Sequence, residues 1–242
     1  MKTKVWAHRG ASGYMPENTL PSFQKAVELG ADGVELDIQL SKDGEIVVCH
    51  DEMVDRTSNA KGWLKDYTLA ELKAMDFSYQ FKELGKVSIP TMKEVFELLK
   101  PTNLIINIEL KTGIFDYEGI EEKIIALTHA EGFEDRVIYS SFNHYSIMKI
   151  QELDPNAKTA FLYSDGPLDM PLYGYEHHVN ALHPAAYNLR LPDFMEECNV
   201  YHLDVNVWTV NTEEIALMCL KYGVNTFCLL YTSPSPRDKR QS

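Results

Sequence analysis

Residues 34–51 read VELDIQLSKDGEIVVCHD. Apolar and polar residues alternate through Val34, Glu35, Leu36, Asp37 and Ile38, the period of two that marks a strand. A second apolar run, Ile46-Val47-Val48-Cys49, ends in His50-Asp51. Between the two runs, Asp43-Gly44 is a hairpin signal, because a type I′ turn needs positive φ at both central positions. With Lys42 facing Glu45, this turn sets Asp37 opposite His50. The second run then reads as the returning arm of a hairpin, not as an independent strand, and the strand count of the whole chain follows from that choice.

Elsewhere, short apolar runs alternate with helical patterns. The helix-like LPSFQKAVELG has Pro21 in its first turn and Gly30 as its stop. TMKEVFELLK and EGIEEKIIALTHAEG are helical, and LIINIEL and RVIYSSF are strand-like. Strands alternating with helices imply parallel pairing through right-handed crossovers. Without the hairpin's return arm, eight strands remain: 5–8, 33–37, 104–109, 137–140, 159–162, 181–183, 206–209 and one starting near Val224. The predicted fold is therefore α/β, a (β/α)8 TIM barrel. It forms a single domain over residues 1–227, with residues 51–90 inserted between the second strand and its helix.

The chain has 242 residues, enough for one such barrel. The formal net charge of −13 repels phosphate backbones and anionic lipid, so nucleic acid and membrane surfaces are poor partners. A phosphate-bearing small molecule needs local cations to override that field. The four cysteines, Cys49, Cys198, Cys219 and Cys228, form no CxxC pair and read as free buried thiols. The start, MKTKVWAHRG, has no apolar signal region, and no run is long enough to cross a bilayer. The expected location is the cytoplasm, with no stable membrane insertion. Oligomeric state is not readable.

Residues 228–242, CLLYTSPSPRDKRQS, break the alternation. The last strand runs into Ser, Pro and basic residues. A disordered tail is one reading. The segment also resembles a translated sequencing-library adapter over residues 228–238, with Lys239-Arg240-Gln241 as a barcode. On that reading 228–242 is a non-native tail, the natural end is missing and the eighth β/α unit is truncated.

Functional side chains of a parallel barrel gather at the C-terminal ends of its strands. Those ends carry His8-Arg9, Glu35 and Asp37, Glu109 and Lys111, Ser141-Phe142, His183 and Trp208, and His50 joins them through the hairpin. Glu35, Asp37 and Glu109 are hard oxygen ligands suited to one divalent cation, Mg²⁺ or Ca²⁺; the alternative is a salt-bridge network with Arg9 and Lys111. His8 and His50 are acid–base candidates. Arg9 and Lys111 offer positive charge to a phosphate. Trp208 reads as a substrate wall or as barrel core, and Phe142 as a further substrate contact. His183 is a weaker candidate. His129, His144, His177, His178 and His202 read as surface residues.

The stretch AHRGASGYMPENTLPSFQKAVELGADGVELDIQLSKDGEIVVCHD resembles the N-terminal signature of the glycerophosphodiester phosphodiesterase family. IPTMKEVFELL, NIELK, SSFNH, ALHP and VNVWTVN continue the likeness in order, over roughly residues 4–227. The resemblance implies a phospholipase-C-like phosphodiesterase barrel with one divalent cation. By position it gives Glu35, Asp37 and Glu109 the metal role, His8 and His50 the acid–base role, and Arg9 and Lys111 the phosphate. Residues 51–90 match the family's insertion, which caps the barrel mouth. The family's Thr-Asn-x-Pro-like turn after the last strand is missing here. The implied activity is metal-dependent hydrolysis of glycerophosphodiesters to an alcohol and sn-glycerol 3-phosphate, within lipid and glycerol metabolism. Two alternatives stay open: a lysophospholipase-D-like phosphodiesterase, and a non-catalytic barrel that binds phosphorylated ligands.

Overall fold

The structure, a computed structural model, describes residues 3–229. Residues 230–242, most of the expected non-native tail, lie outside the described residues. Eight parallel strands close into a barrel: β1 (Lys4–His8), β2 (Gly33–Leu40), β4 (Ile105–Leu110), β5 (Val137–Ser141), β6 (Lys158–Tyr163), β7 (Ala181–Pro184), β8 (Asp204–Val207) and β9 (Thr226–Leu229). β3 (Ile46–Val48) pairs antiparallel on β2 and stays outside the ring. The expected TIM barrel is therefore present, and the second apolar run is a return arm.

The main helices that follow the strands are α1 (Leu20–Glu28), α3 (Met92–Leu99), α4 (Ile120–Glu131), α5 (His144–Leu153), α6 (Met170–Glu176), α7 (Phe194–Val200) and α8 (Glu213–Tyr222), with α2 (Leu69–Ala74) in the insertion. Thr19, Thr68 and Thr91 each accept the N3 backbone N–H of their helix, and the N3 side chain returns the bond. Such capping boxes satisfy two orphan donors at each start. Val34, Leu36, Ile38 and Leu40 of β2 join the main core beneath the helices. By alternation, Glu35, Asp37 and Gln39 face the barrel axis.

The hairpin register differs from expectation by one residue. Leu40 pairs with Ile46 and Ile38 with Val48, so Asp37 stands opposite Cys49 and not His50. The Cys49 N–H donates to the Asp37 carbonyl at 2.9 Å. Of the two central residues that a type I′ turn would need, only Gly44 has positive φ, at 80°. Gly44 N–H donates to the Ser41 carbonyl (2.9 Å), and Ser41 N–H to the Glu45 carbonyl (3.0 Å). This is a three-residue loop closed by a left-handed glycine, which adds one residue and slips the register. Asp43 is held by other bonds: its Oδ1 accepts from the Ser41 hydroxyl (2.6 Å) and from Leu69 N–H at the start of α2 (2.8 Å).

Barrel closure is complete despite the missing family turn. β9 pairs with β8 on one side and β1 on the other, with Trp6 beside Cys228 and Ala7 beside Leu229. A ladder needs extended backbone and an apolar face, and Thr226-Phe227-Cys228-Leu229 has both. β8 begins and ends two residues earlier than the expected 206–209, which leaves Trp208 just past the strand. The four cysteines are free and buried, as expected. His144 and His177 are not simple surface residues. His144 stacks on Phe161 (centroids 4.0 Å) and Tyr173 contacts both histidines.

The insertion has a small core of its own. Val54, Leu64, Leu72, Phe77 and Ile89 pack with Val47 and Cys49 of the return arm. Trp63 meets Phe115, on the loop after β4, edge-on at 5.2 Å. No helix among the described residues is long and apolar enough to cross a membrane.

Candidate active site

The site forms where β1, β2 and β4 lie side by side. The β1–β2 register sets His8 beside Glu35, and the β2–β4 register sets Asp37 beside Glu109. Glu35, Asp37 and Glu109 are all buried, and one oxygen of each lies within 4.8 Å of the others. It is the one such group among the described residues.

Three carboxylates this close repel one another, and burial adds to the cost of their charge. Burial, with the charges of Asp37 and Glu109, pushes the Glu35 pKa well above the usual carboxylate range. Burial and Asp37 push Glu109 up as well. Asp37 goes the other way. Burial would raise it, but the charges of His50, Arg9 and Lys111 and a hydrogen bond from Asn18 hold it low. Its Oδ1 is buried without a hydrogen-bond partner. An orphaned carboxylate oxygen beside two destabilised carboxylates fits a hard cation, so the three residues could hold a metal ion.

The chain after β1 is shaped to serve this cluster. Arg9 adopts a left-handed φ of 57°, and its N–H donates to Glu35 Oε2 at 2.9 Å. Its side chain donates from Nη1 to Glu17 Oε1 (2.9 Å), and Nε lies 3.6 Å from Asp37 Oδ2. Gly10 follows, because a Cβ there would stand 2.3 Å from Ser22 Oγ of α1. Asn18, also left-handed at φ 55°, donates from Nδ2 to Asp37 Oδ2 at 2.8 Å. Lys111 donates to Glu109 Oε1 at 2.9 Å. Its pKa is raised, since Glu109 and Asp37 outweigh the effect of burial.

The two candidate histidines reach one pocket. Its lining includes His8, Arg9, Glu35, His50 and Glu109, together with Phe142 and Trp208. Phe142 and Trp208 meet edge-to-face at 5.4 Å, and the Trp208 indole N–H donates to the His183 carbonyl (2.8 Å). His8 Nε2 lies 3.9 Å from Glu35 Oε2. Burial, helped by the charge of Arg9, lowers the His8 pKa to about 3. His183 also faces the pocket, but Asn206 Nδ2 donates to its Nε2 at 2.9 Å, the arrangement of a buried hydrogen-bonding histidine.

His50 is carried by the bend after β3. Fully buried Gln39 donates from Nε2 to the carbonyls of Cys49 (2.8 Å), His50 (3.2 Å) and Asp51 (2.9 Å). Tyr117 in turn donates its hydroxyl to Gln39 Oε1 at 2.8 Å. The ring of His50 donates from Nδ1 to Asp51 Oδ1 at 2.7 Å.

All nine candidate residues therefore gather at one end of the barrel, with Asp37 and Lys111 beside the pocket rather than on its wall. Sequence reasoning did not assign Asn18, Glu17, Asp51, Gln39, Tyr117 or Arg56. Glu17 and Asn18 stood in the Pro-Glu-Asn-Thr run, where a polar pair next to a strand-end arginine was the available signal. Gln39 continued the inward alternation of Glu35 and Asp37.

The model of the Glycerophosphoryl diester phosphodiesterase family matches residues 8–229. A glycerophosphodiester phosphodiesterase of Caldanaerobacter subterraneus subsp. tengcongensis is 45% identical over 226 residues, covering 93% of each chain. One of Bacillus altitudinis is 42% identical over 92% of each. Among solved structures, an Oleispira antarctica phosphodiesterase in complex with the product sn-glycerol-3-phosphate aligns with a TM-score of 0.86. It is 28% identical and the match covers 99% of this chain and 97% of that one. The fold is a TIM barrel, and the family it matches is one of hydrolases. The chain belongs to the glycerophosphoryl diester phosphodiesterase family and is an enzyme of that activity.

Proposed function

We propose that this enzyme hydrolyses glycerophosphodiesters to an alcohol and sn-glycerol 3-phosphate, with His8 and His50 as its acid–base pair. The observation that carries the reading is the buried Glu35–Asp37–Glu109 cluster opening into a pocket that both histidines share. The product bound to the Oleispira antarctica relative supports the choice of glycerol 3-phosphate.

Glu35, Asp37 and Glu109 would hold one divalent cation, Mg²⁺ or Ca²⁺. Such a cation supplies Lewis-acid stabilisation to the phosphoryl oxygens. Arg9 and Lys111 add positive charge beside the same oxygens, where their partial burial strengthens the effect. One histidine takes the proton of the attacking water as its oxygen bonds to phosphorus, or that of a substrate hydroxyl, in which case the cyclic phosphodiester formed is opened by water in a second displacement. The other gives a proton to the leaving alcohol oxygen as its bond to phosphorus breaks. Phe142 and Trp208 shield one side of the pocket and offer the departing alcohol an apolar wall.

Turnover of a panel of glycerophosphodiesters, with and without divalent metal, tests the reading. Activity should vanish in excess chelator and return with Mg²⁺ or Ca²⁺. Full activity in excess chelator would remove the metal role. Preference for lysophosphatidylcholine over glycerophosphocholine would move the substrate to lysolipid.

A further inference from the structure

Two side chains of the insertion, Asp51 and Arg56, join a network that links His50 and Arg9, both of which line the pocket. Arg56 donates from Nη1 to Glu17 Oε2 (2.6 Å) and from Nη2 to Glu17 Oε1 (2.7 Å). The same guanidinium donates from Nε to Asp51 Oδ2 (2.6 Å) and from Nη2 to Asp51 Oδ1 (2.9 Å). Glu17 Oε1 also receives Arg9 Nη1, and Asp51 Oδ1 also receives His50 Nδ1. The result is an unbroken chain of alternating groups: His50, Asp51, Arg56, Glu17, Arg9.

We propose that Arg56 and Glu17 are positioning residues for catalysis: a strap that orients the His50 ring through Asp51 and ties it to Arg9. The proposal rests on the acid–base reading of His50 given above. An isolated surface ion pair contributes little. This one is different in geometry, because a planar guanidinium is clamped by two carboxylates, each gripped through both oxygens. Each carboxylate is therefore fixed in plane as well as in place. Asp51 can then accept the His50 Nδ1 proton in one orientation, which directs Nε2 toward the pocket. Glu17, shared by two arginines, sets the distance between Arg56 and the arginine beside the carboxylate cluster.

The strap acts on side chains and leaves the backbone to another device. Gln39 already holds the carbonyls of residues 49–51 from inside the barrel. Loss of Arg56 should therefore free the His50 ring without unfolding the bend. Arg56 is itself exposed, so its replacement leaves no cavity in either core.

The test is a double-mutant cycle on the metal-loaded enzyme, with glycerophosphocholine as substrate. Arg56→Gln should lower kcat by about tenfold to a hundredfold, the scale of a slightly misplaced catalytic group. Its melting temperature should stay close to wild type. Arg56→Lys should recover part of the loss, since one ammonium keeps the charge but cannot clamp both carboxylates. Glu17→Gln should lower kcat in the same direction. Added to His50→Ala, Arg56→Gln should cost nothing further, because its effect passes through the missing ring. Wild-type kcat in Arg56→Gln, or the same loss with and without His50, would overturn the strap. Wild-type kcat in His50→Ala would overturn the acid–base reading beneath it, an outcome separable from the first two.

Discussion

His8 ends a strand that is hydrogen-bonded to β9 on one side and β2 on the other, whereas His50 stands on a bend outside the ring. The ladder alone brings His8 level with Glu35. Its Nδ1 is buried without a hydrogen-bond partner, and its ring sits among charged neighbours in the barrel. His50 has no such ladder. Its main chain hangs from Gln39, which leans on Tyr117 of the next β/α loop, and its ring is tied to Asp51. A barrel strand end can present a functional group through sheet pairing alone. A loop needs side-chain ties to reach the same place, here from the neighbouring Asp51, from the paired strand and, through Tyr117, from the next β/α loop.

The contrast can be broken at several levels. The largest expected effect comes from the rings themselves. His8→Ala and His50→Ala should each lower kcat by about 10²–10⁴-fold, the usual range for a general acid or base. Circular dichroism should show both folded. A variant that keeps its activity would leave a single histidine in the acid–base role.

Next comes the support beneath each ring. Gln39→Leu should leave three carbonyls and the Tyr117 hydroxyl short of a partner. An expected cost of about 1–3 kcal/mol follows from one unsatisfied buried polar group, and several could exceed it. Urea melts would measure the cost, and kcat should fall together with stability. Unchanged stability would mean that water takes over the role of Gln39.

The smallest expected effect is on acid stability. Burial would raise the Glu17 pKa, but hydrogen bonds from Arg56 and the charges of Arg9 and Arg56 outweigh it and hold it below its ordinary value. A carboxylate lowered on folding stabilises the protein above its unfolded pKa. That stabilisation is lost as pH falls through the folded value. Glu17→Gln should therefore flatten the decline of stability below about pH 4.3, the ordinary glutamate value. Urea melts across the acid range would show the slope, and a slope equal to wild type would mean that the strap adds no pH-dependent stability.

Much of this was readable from single segments. Period-two alternation separated Glu35 and Asp37 from Leu36 and Ile38, and so put the two carboxylates on one face of the strand. The ordered strand ends collected His8, Glu35, Asp37, Glu109 and Lys111 before any contact was known. The hairpin was legible as a hairpin, but its register was not. Asp43-Gly44 suits a two-residue turn locally, yet the bond from Leu69 N–H, 26 residues away, holds Asp43 in a different loop. One residue of slip then put Cys49 in the place expected for His50.

Arg56 shows the same limit more sharply. It is an ordinary exposed arginine in an insertion, and its partner Glu17 lies 39 residues earlier. The sequence by itself determined the barrel, the shared face of Glu35 and Asp37 and the residue types at the mouth, because strand pattern and side-chain period are local properties. Only the tertiary structure decided the hairpin register, the hold of Gln39 on three carbonyls and the ionic strap. Each of these depends on which donors the fold brings within reach of an acceptor, and spacing along the chain does not encode that.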